Sequence, residues 1–227
     1  MSFETALRLT EIVLAFAIAV QCLEHLRGGA AKRAIFALRL FFAALLASGA
    51  LPLVAAFGLL ATSVRLLYRY DGPYNGGADR MGLLVLFCVT GARLPVPLAF
   101  QELAFGYLAA QLVLSYFISG WVKVVNRDWR SGAALQEVFA GTNYPAAEDL
   151  RALGGRRGMM RAGAWAVMAL ELAFPLALMS PWLLIPALIG TAGFHLANAL
   201  LFGFNRFFWV WLAAYPALLW LQGRLIG

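Results

Sequence analysis

The length of its apolar runs limits this chain more than anything else in it. Leu98–Val125 has Glu102 and Lys123 as its only formal charges, and Trp182–Phe202 has none. About 20 apolar residues match the ~30 Å hydrocarbon core of a bilayer, where no water can satisfy an open backbone, so runs of this kind fold as helices. Stretches of alternating polarity, the mark of a membrane barrel, are scarce. The composition agrees: 63% of residues are hydrophobic, 13% are charged and the mean hydropathy is +0.78. A soluble domain averages about 45–50% apolar and about 25% charged residues.

The expected fold is an all-α polytopic integral membrane bundle, a single transmembrane domain over residues 1–227. About eight segments are expected: Thr5–Leu26, Ala34–Ser48, Leu51–Leu67, Met81–Gly91, Leu98–Val125, Met159–Met179, Trp182–Phe202 and Phe207–Leu221. Met81–Gly91 is short enough to be re-entrant, or it extends to Leu94. The second and third segments read as a tight hairpin around Gly49-Ala50-Leu51-Pro52. The first reads as a retained span, because Glu4, Arg8 and Glu11 stand where a cleaved signal carries a basic start and it has no A-x-A exit. The loop Tyr68–Met81 predicts tight turns, with Gly76 and Gly77 free for left-handed backbone and Asp79 capping the next helix. Gly132–Ala140 and Pro145–Leu153 read as short helices on the membrane surface.

The net charge of +7 would suggest nucleic acid in a soluble protein. Here the basic residues fringe apolar spans, so nucleic acid is not an expected partner and membrane lipid is. With eight crossings and an outside N-terminus, only Arg8, Arg93 and Arg224 of the 18 basic residues fall outside. The positive-inside rule then places both termini outside, which is the periplasmic side of a bacterial inner membrane. Cys22 and Cys88 stand alone in apolar segments, with no C-x-x-C and no Cys/His cluster to suggest a metal or redox pair.

Charges inside spans cost about 2.5–3.5 kcal/mol on insertion scales, so each needs a reason. On the fifth segment Gln111, Ser115, Ser119 and Lys123 recur every four residues, one slowly winding stripe flanked by Tyr116 and Gly120. Lys123 reads in two ways: as a base facing a dry cavity, or as a charge snorkelling to headgroups. His195 and Asn198 share a face of the seventh segment, continued by Phe202, and could hydrogen-bond a flat ligand or another helix. Glu171, mid-span in the sixth, must be protonated or paired, with Lys123, His195 and Arg39 as candidate partners. Glu11, Glu24 and His25 read as interfacial, and Arg39 and Arg65 as partners for such acids or for an acidic ligand. The seven tryptophans, at 121, 129, 165, 182, 209, 211 and 220, read as an interfacial belt.

Two motifs, in order, carry a resemblance. YFISGWVKVVNRDWRSGAAL, Tyr116–Leu135, resembles the tyrosine–glycine–lysine–aspartate–tryptophan–glycine pattern of the HTTM family, membrane proteins related to vitamin K-dependent gamma-carboxylase. Lys123 follows Gly120 by three residues, and Asp128-Trp129 and Gly132 follow in turn. The second motif is Phe194-His195-x-x-Asn198, with Leu201-Phe202 after it. The resemblance implies that Lys123 is the candidate base and that a cavity lined by the fifth, sixth and seventh segments takes a quinone-like or other lipid-soluble cofactor, with possible redox or oxygen chemistry. Tyr116, Glu171, His195 and Asn198 would be its binding residues. No large lumenal domain is expected, so glutamate carboxylation is not. The alternative is a non-enzymatic scaffold or accessory subunit of a membrane complex, with a thiol–disulfide oxidoreductase among its expected partners.

Overall fold

A computed structural model describes residues 1–26, 30–68, 76–142 and 150–226, and among these every regular element is helical. Residues 1–110 with 209–225 form one compact unit, and residues 111–208 form a second.

In the first unit α1 (Phe3–His25), α2 (Ala30–Ser48), α3 (Pro52–Tyr68) and α4 (Gly76–Arg93) pack in succession, with α4 also against α1. Ser2 opens α1, its Oγ accepting the Thr5 N–H at 3.2 Å. Gly49 turns the chain between α2 and α3 in the left-handed region, φ 74°, where a side chain is strained. A Cβ there would stand 3.1 Å from the Arg8 guanidinium, which donates to the Leu46 and Ala47 carbonyls at the open end of α2. The expected hairpin therefore forms, and the side chain of Arg8 closes it.

Glu11 departs from expectation. It is fully buried, not interfacial. Arg93, at the end of α4, donates Nε to Oε1 at 2.6 Å and Nη2 to Oε2 at 3.1 Å, and Arg8 Nη1 donates to Oε2 at 2.9 Å. A buried carboxylate is tolerated when its lone pairs are met by fixed donors. Arg39 is buried too and donates to Thr62 Oγ1 at 3.0 Å, Ser63 Oγ at 2.8 Å and Gln21 Oε1 at 3.3 Å. The start of α5 (Leu98–Val125) and α12 (Tyr215–Ile226) complete this unit. The rings of Phe3, Phe105 and Trp220 meet at centroid distances of 5.5–5.6 Å, and Arg224 binds Glu102 at 2.6 Å. Trp220 is thus a core residue and not part of an interfacial belt.

The second unit holds the rest of α5, α6 (Arg127–Ser131), α7 (Ala133–Gly141), α8 (Arg151–Gly154), α9 (Arg157–Ala173) with its 3-10 continuation Phe174–Met179, and α10 (Pro181–Phe202). The change from α to 3-10 geometry comes at Pro175, which lacks the N–H that would bond the Glu171 carbonyl and whose ring crowds it. Ser180 then caps α10, its Oγ accepting the Trp182 N–H at 3.2 Å.

Four helical stretches are long and apolar enough to cross a bilayer: α1, α5, Arg157–Met179 and α10. The apolar α3 is shorter, at 17 residues. Two further expectations are corrected. The expected last span, Phe207–Leu221, is two helices, α11 (Asn205–Leu212) and α12, parted at Ala213-Ala214. Pro216 explains the break, since it lacks the N–H that would bond the Leu212 carbonyl, where α11 ends. Met81–Gly91 lies inside an 18-residue helix beginning at Gly76, so Gly76 and Gly77 are helical and Asp79 sits in the first turn instead of capping it. The short helix expected over Gly132–Ala140 is found as α7, preceded by α6. Pro145–Leu153 lies mostly outside the described residues, with α8 at its end.

Candidate functional site

The site residues sit in the second unit, on three helices. Along α5, Tyr116, Gly120 and Lys123 fall on one face, because seven residues make nearly two turns. Lys123 Nζ lies 2.7 Å from Glu171 Oε2 and 2.8 Å from Oε1, and 2.5 Å from Ser119 Oγ. Ser119 Oγ in turn donates to Glu171 Oε1 at 3.1 Å. The exposed fractions of the Lys123 and Glu171 side chains are 15% and 4%, so both charges are largely out of solvent, where the pairing of each is obligatory. The Trp129 ring completes the surround, its centroid 5.3 Å from Nζ, within reach of cation–π attraction.

The motif around Lys123 builds this arrangement. Gly120 lets α9 approach: a Cβ there would come within 2.9 Å of both the Glu171 Cβ and the Leu172 backbone nitrogen. Arg130 donates Nη1 to the Val124 and Val125 carbonyls at 2.6 and 3.0 Å, closing the end of α5. Asn126 caps α6 by accepting the Asp128 N–H at 2.8 Å, which sets Trp129 in its first turn. Gly132 ends α6 at φ 85°, with the Arg161 backbone where a side chain would be, and Trp165 Nε1 donates to the Arg130 carbonyl at 3.2 Å.

About 10 Å back along the α5 axis, Tyr116 Oη lies 2.8 Å from His195 Nε2. Tyr116 and His195 are buried, and aromatic rings enclose them: Phe174 against Tyr116 at 4.3 Å, and Phe194 and Phe207 each 5.2 Å from His195. Asn198, half-buried one turn on, receives the Phe204 N–H on its carbonyl at the end of α10. Among the described residues its side chain joins neither pair.

The structure thus joins Lys123 to Glu171 and Tyr116 to His195, and of the three partners considered for Glu171 it selects Lys123. Ser119 and Trp129 were absent from the candidate set. Ser119 was legible as the stripe residue four before Lys123. Trp129 stands over the ammonium only because α6 turns back, a step no periodicity announces.

The polar pairs within long apolar helices define an integral membrane helical protein. A family model for the HTTM domain matches residues 100–221, more than half of the chain, which therefore belongs to the HTTM family. No curated protein and no solved structure shows significant similarity to it.

Proposed function

We propose that this protein binds a quinone-like or other lipid-soluble molecule between α5, α9 and α10, with Lys123 as its base or anchor. The observation that carries the reading is the buried Lys123–Glu171 pair bridged by Ser119, a few turns from a tyrosine and a histidine among aromatic rings. The donor set suits such a molecule: Tyr116 and His195 offer hydrogen bonds to a carbonyl or hydroxyl, and Phe174, Phe194 and Phe207 offer flat apolar walls. Asn198 would help orient the ring. When bound, a group of this kind supplies reversible two-electron, two-proton chemistry.

The chain's own part is the proton. Transfer from Lys123 Nζ to Glu171 Oε2, across 2.7 Å, converts an ammonium–carboxylate pair into an amine and a carboxylic acid. No net charge is left behind, and the amine is then a base. Ser119 holds both partners through either state.

In the proposed topology eight segments cross a bacterial inner membrane as one domain, with both termini periplasmic. Support comes from Glu102 beside Arg224 at the start of α5, and from Lys123 near the end of the same 28-residue helix. The test is to purify the protein in mild detergent, extract it with organic solvent and identify retained molecules by chromatography and mass spectrometry. A quinone-like compound is expected in the parent protein, and at least tenfold less in Lys123→Ala and His195→Ala. If no such compound is found, or the variants retain as much, the proposal fails and a non-enzymatic subunit role becomes the better reading.

A further inference from the structure

We propose that the surface formed by α6 and the first two turns of α9 is a docking site for the headgroups of anionic phospholipids in the adjoining leaflet. α5 ends at Val125 and α9 begins at Arg157, each a candidate span, and α6 and α7 pack on α9, so this surface lies where two spans leave the same side of the bilayer. The stretch from Trp121 to Trp165 holds six arginines, at 127, 130, 151, 156, 157 and 161, against four acids, Asp128, Glu137, Glu148 and Asp149.

Arg130 and Arg151 are engaged, donating to backbone carbonyls of residues 124, 125 and 142. Arg127, Arg156, Arg157 and Arg161 are exposed, and none of their side chains makes a hydrogen bond or ion pair to another described residue. Lys123 adds nothing to the patch, being held by Glu171. Four exposed guanidinium groups are therefore open to an external anion.

What sits among these arginines decides the kind of anion. Trp121, Trp165, Val122 and Met159 are exposed large apolar residues of the same stretch. Indole and guanidinium side by side match the boundary between headgroups and acyl chains, where the ring stays in the apolar layer and the arginine reaches phosphate. Nucleic acid would use the charge and leave the apolar residues in water.

The experiment is native mass spectrometry of the purified protein after titration with mixed micelles holding either phosphatidylglycerol or phosphatidylcholine. Retention of phosphatidylglycerol over phosphatidylcholine is expected, falling as sodium chloride is raised. The variant carrying Arg127→Gln, Arg156→Gln, Arg157→Gln and Arg161→Gln should lose that preference, by about fivefold for each arginine removed, with an unchanged elution volume and helical circular dichroism. Equal retention of the two lipids, a preference indifferent to salt, or a preference kept by a folded variant would each overturn the assignment. So would displacement by inorganic phosphate beyond that by chloride at equal ionic strength, or by a DNA oligonucleotide. If the variant does not fold, the salt titration of the parent protein decides.

Discussion

Lys123 and Glu171 depend on each other. Removing one partner of a buried pair leaves an uncompensated charge, a cost of about 3–5 kcal/mol in soluble proteins, whereas removing both is far milder. Lys123→Met and Glu171→Leu should therefore each lower the midpoint of thermal unfolding in detergent, and the double variant should be more stable than either. Additive losses would mean that the pair is not coupled. Part of this was legible in the sequence: the four-residue spacing marks the stripe and its lysine, and a carboxylate within a span announces that a partner exists. Glu11 shows where such reading ends. Its place near the start of an apolar run suggested the interface, yet Arg93 arrives from the far end of α4 to bury it. Pairings across 82 residues leave no local trace.

At the scale of elements, close approach governs the site. Gly120 allows α9 against α5, and a methyl group there would meet the Leu172 backbone nitrogen at 2.9 Å, an atom with no side-chain freedom to move away. Gly120→Ala is expected to destabilise the protein by about 1–3 kcal/mol, as overpacking does, and to loosen the Lys123–Glu171 contact without touching either residue. Unfolding in detergent, with Gly141→Ala as a control where nothing lies within 4 Å of the added carbon, would check it. A neutral Gly120→Ala would mean that the helices stand further apart. The helices themselves were readable from apolar length, and α5 has the bounds its sequence predicts. The breaks were harder to see. Pro175 and Pro216 both signal them, but each lies within a run so apolar that length alone argues for continuity.

For the whole molecule, the first unit joins residues 1–110 to residues 209–225. Trp220 closes against Phe3 and Phe105, and Trp220→Ala should cost about 3–5 kcal/mol, the usual loss for a large buried aromatic. The readout is the unfolding midpoint of the purified protein, with Trp182→Ala, at 88% exposed, expected to change it little. A midpoint equally indifferent to both changes would place Trp220 outside the core.

The order in which the ribosome delivers these parts has a consequence of its own. Everything that makes the Lys123–Glu171 and Tyr116–His195 pairs lies between residues 111 and 208 and can assemble as soon as that stretch has left the exit tunnel. The cluster at Phe3 must wait for Trp220, which emerges after all of that stretch. α1 to α4 can pack as soon as Arg93 reaches Glu11, but the Phe3 and Phe105 rings stay uncovered until residue 220 has been made. A ribosome stalled after residue 208 would leave the Lys123–Glu171 and Tyr116–His195 pairs formed and Phe3 without its partner Trp220.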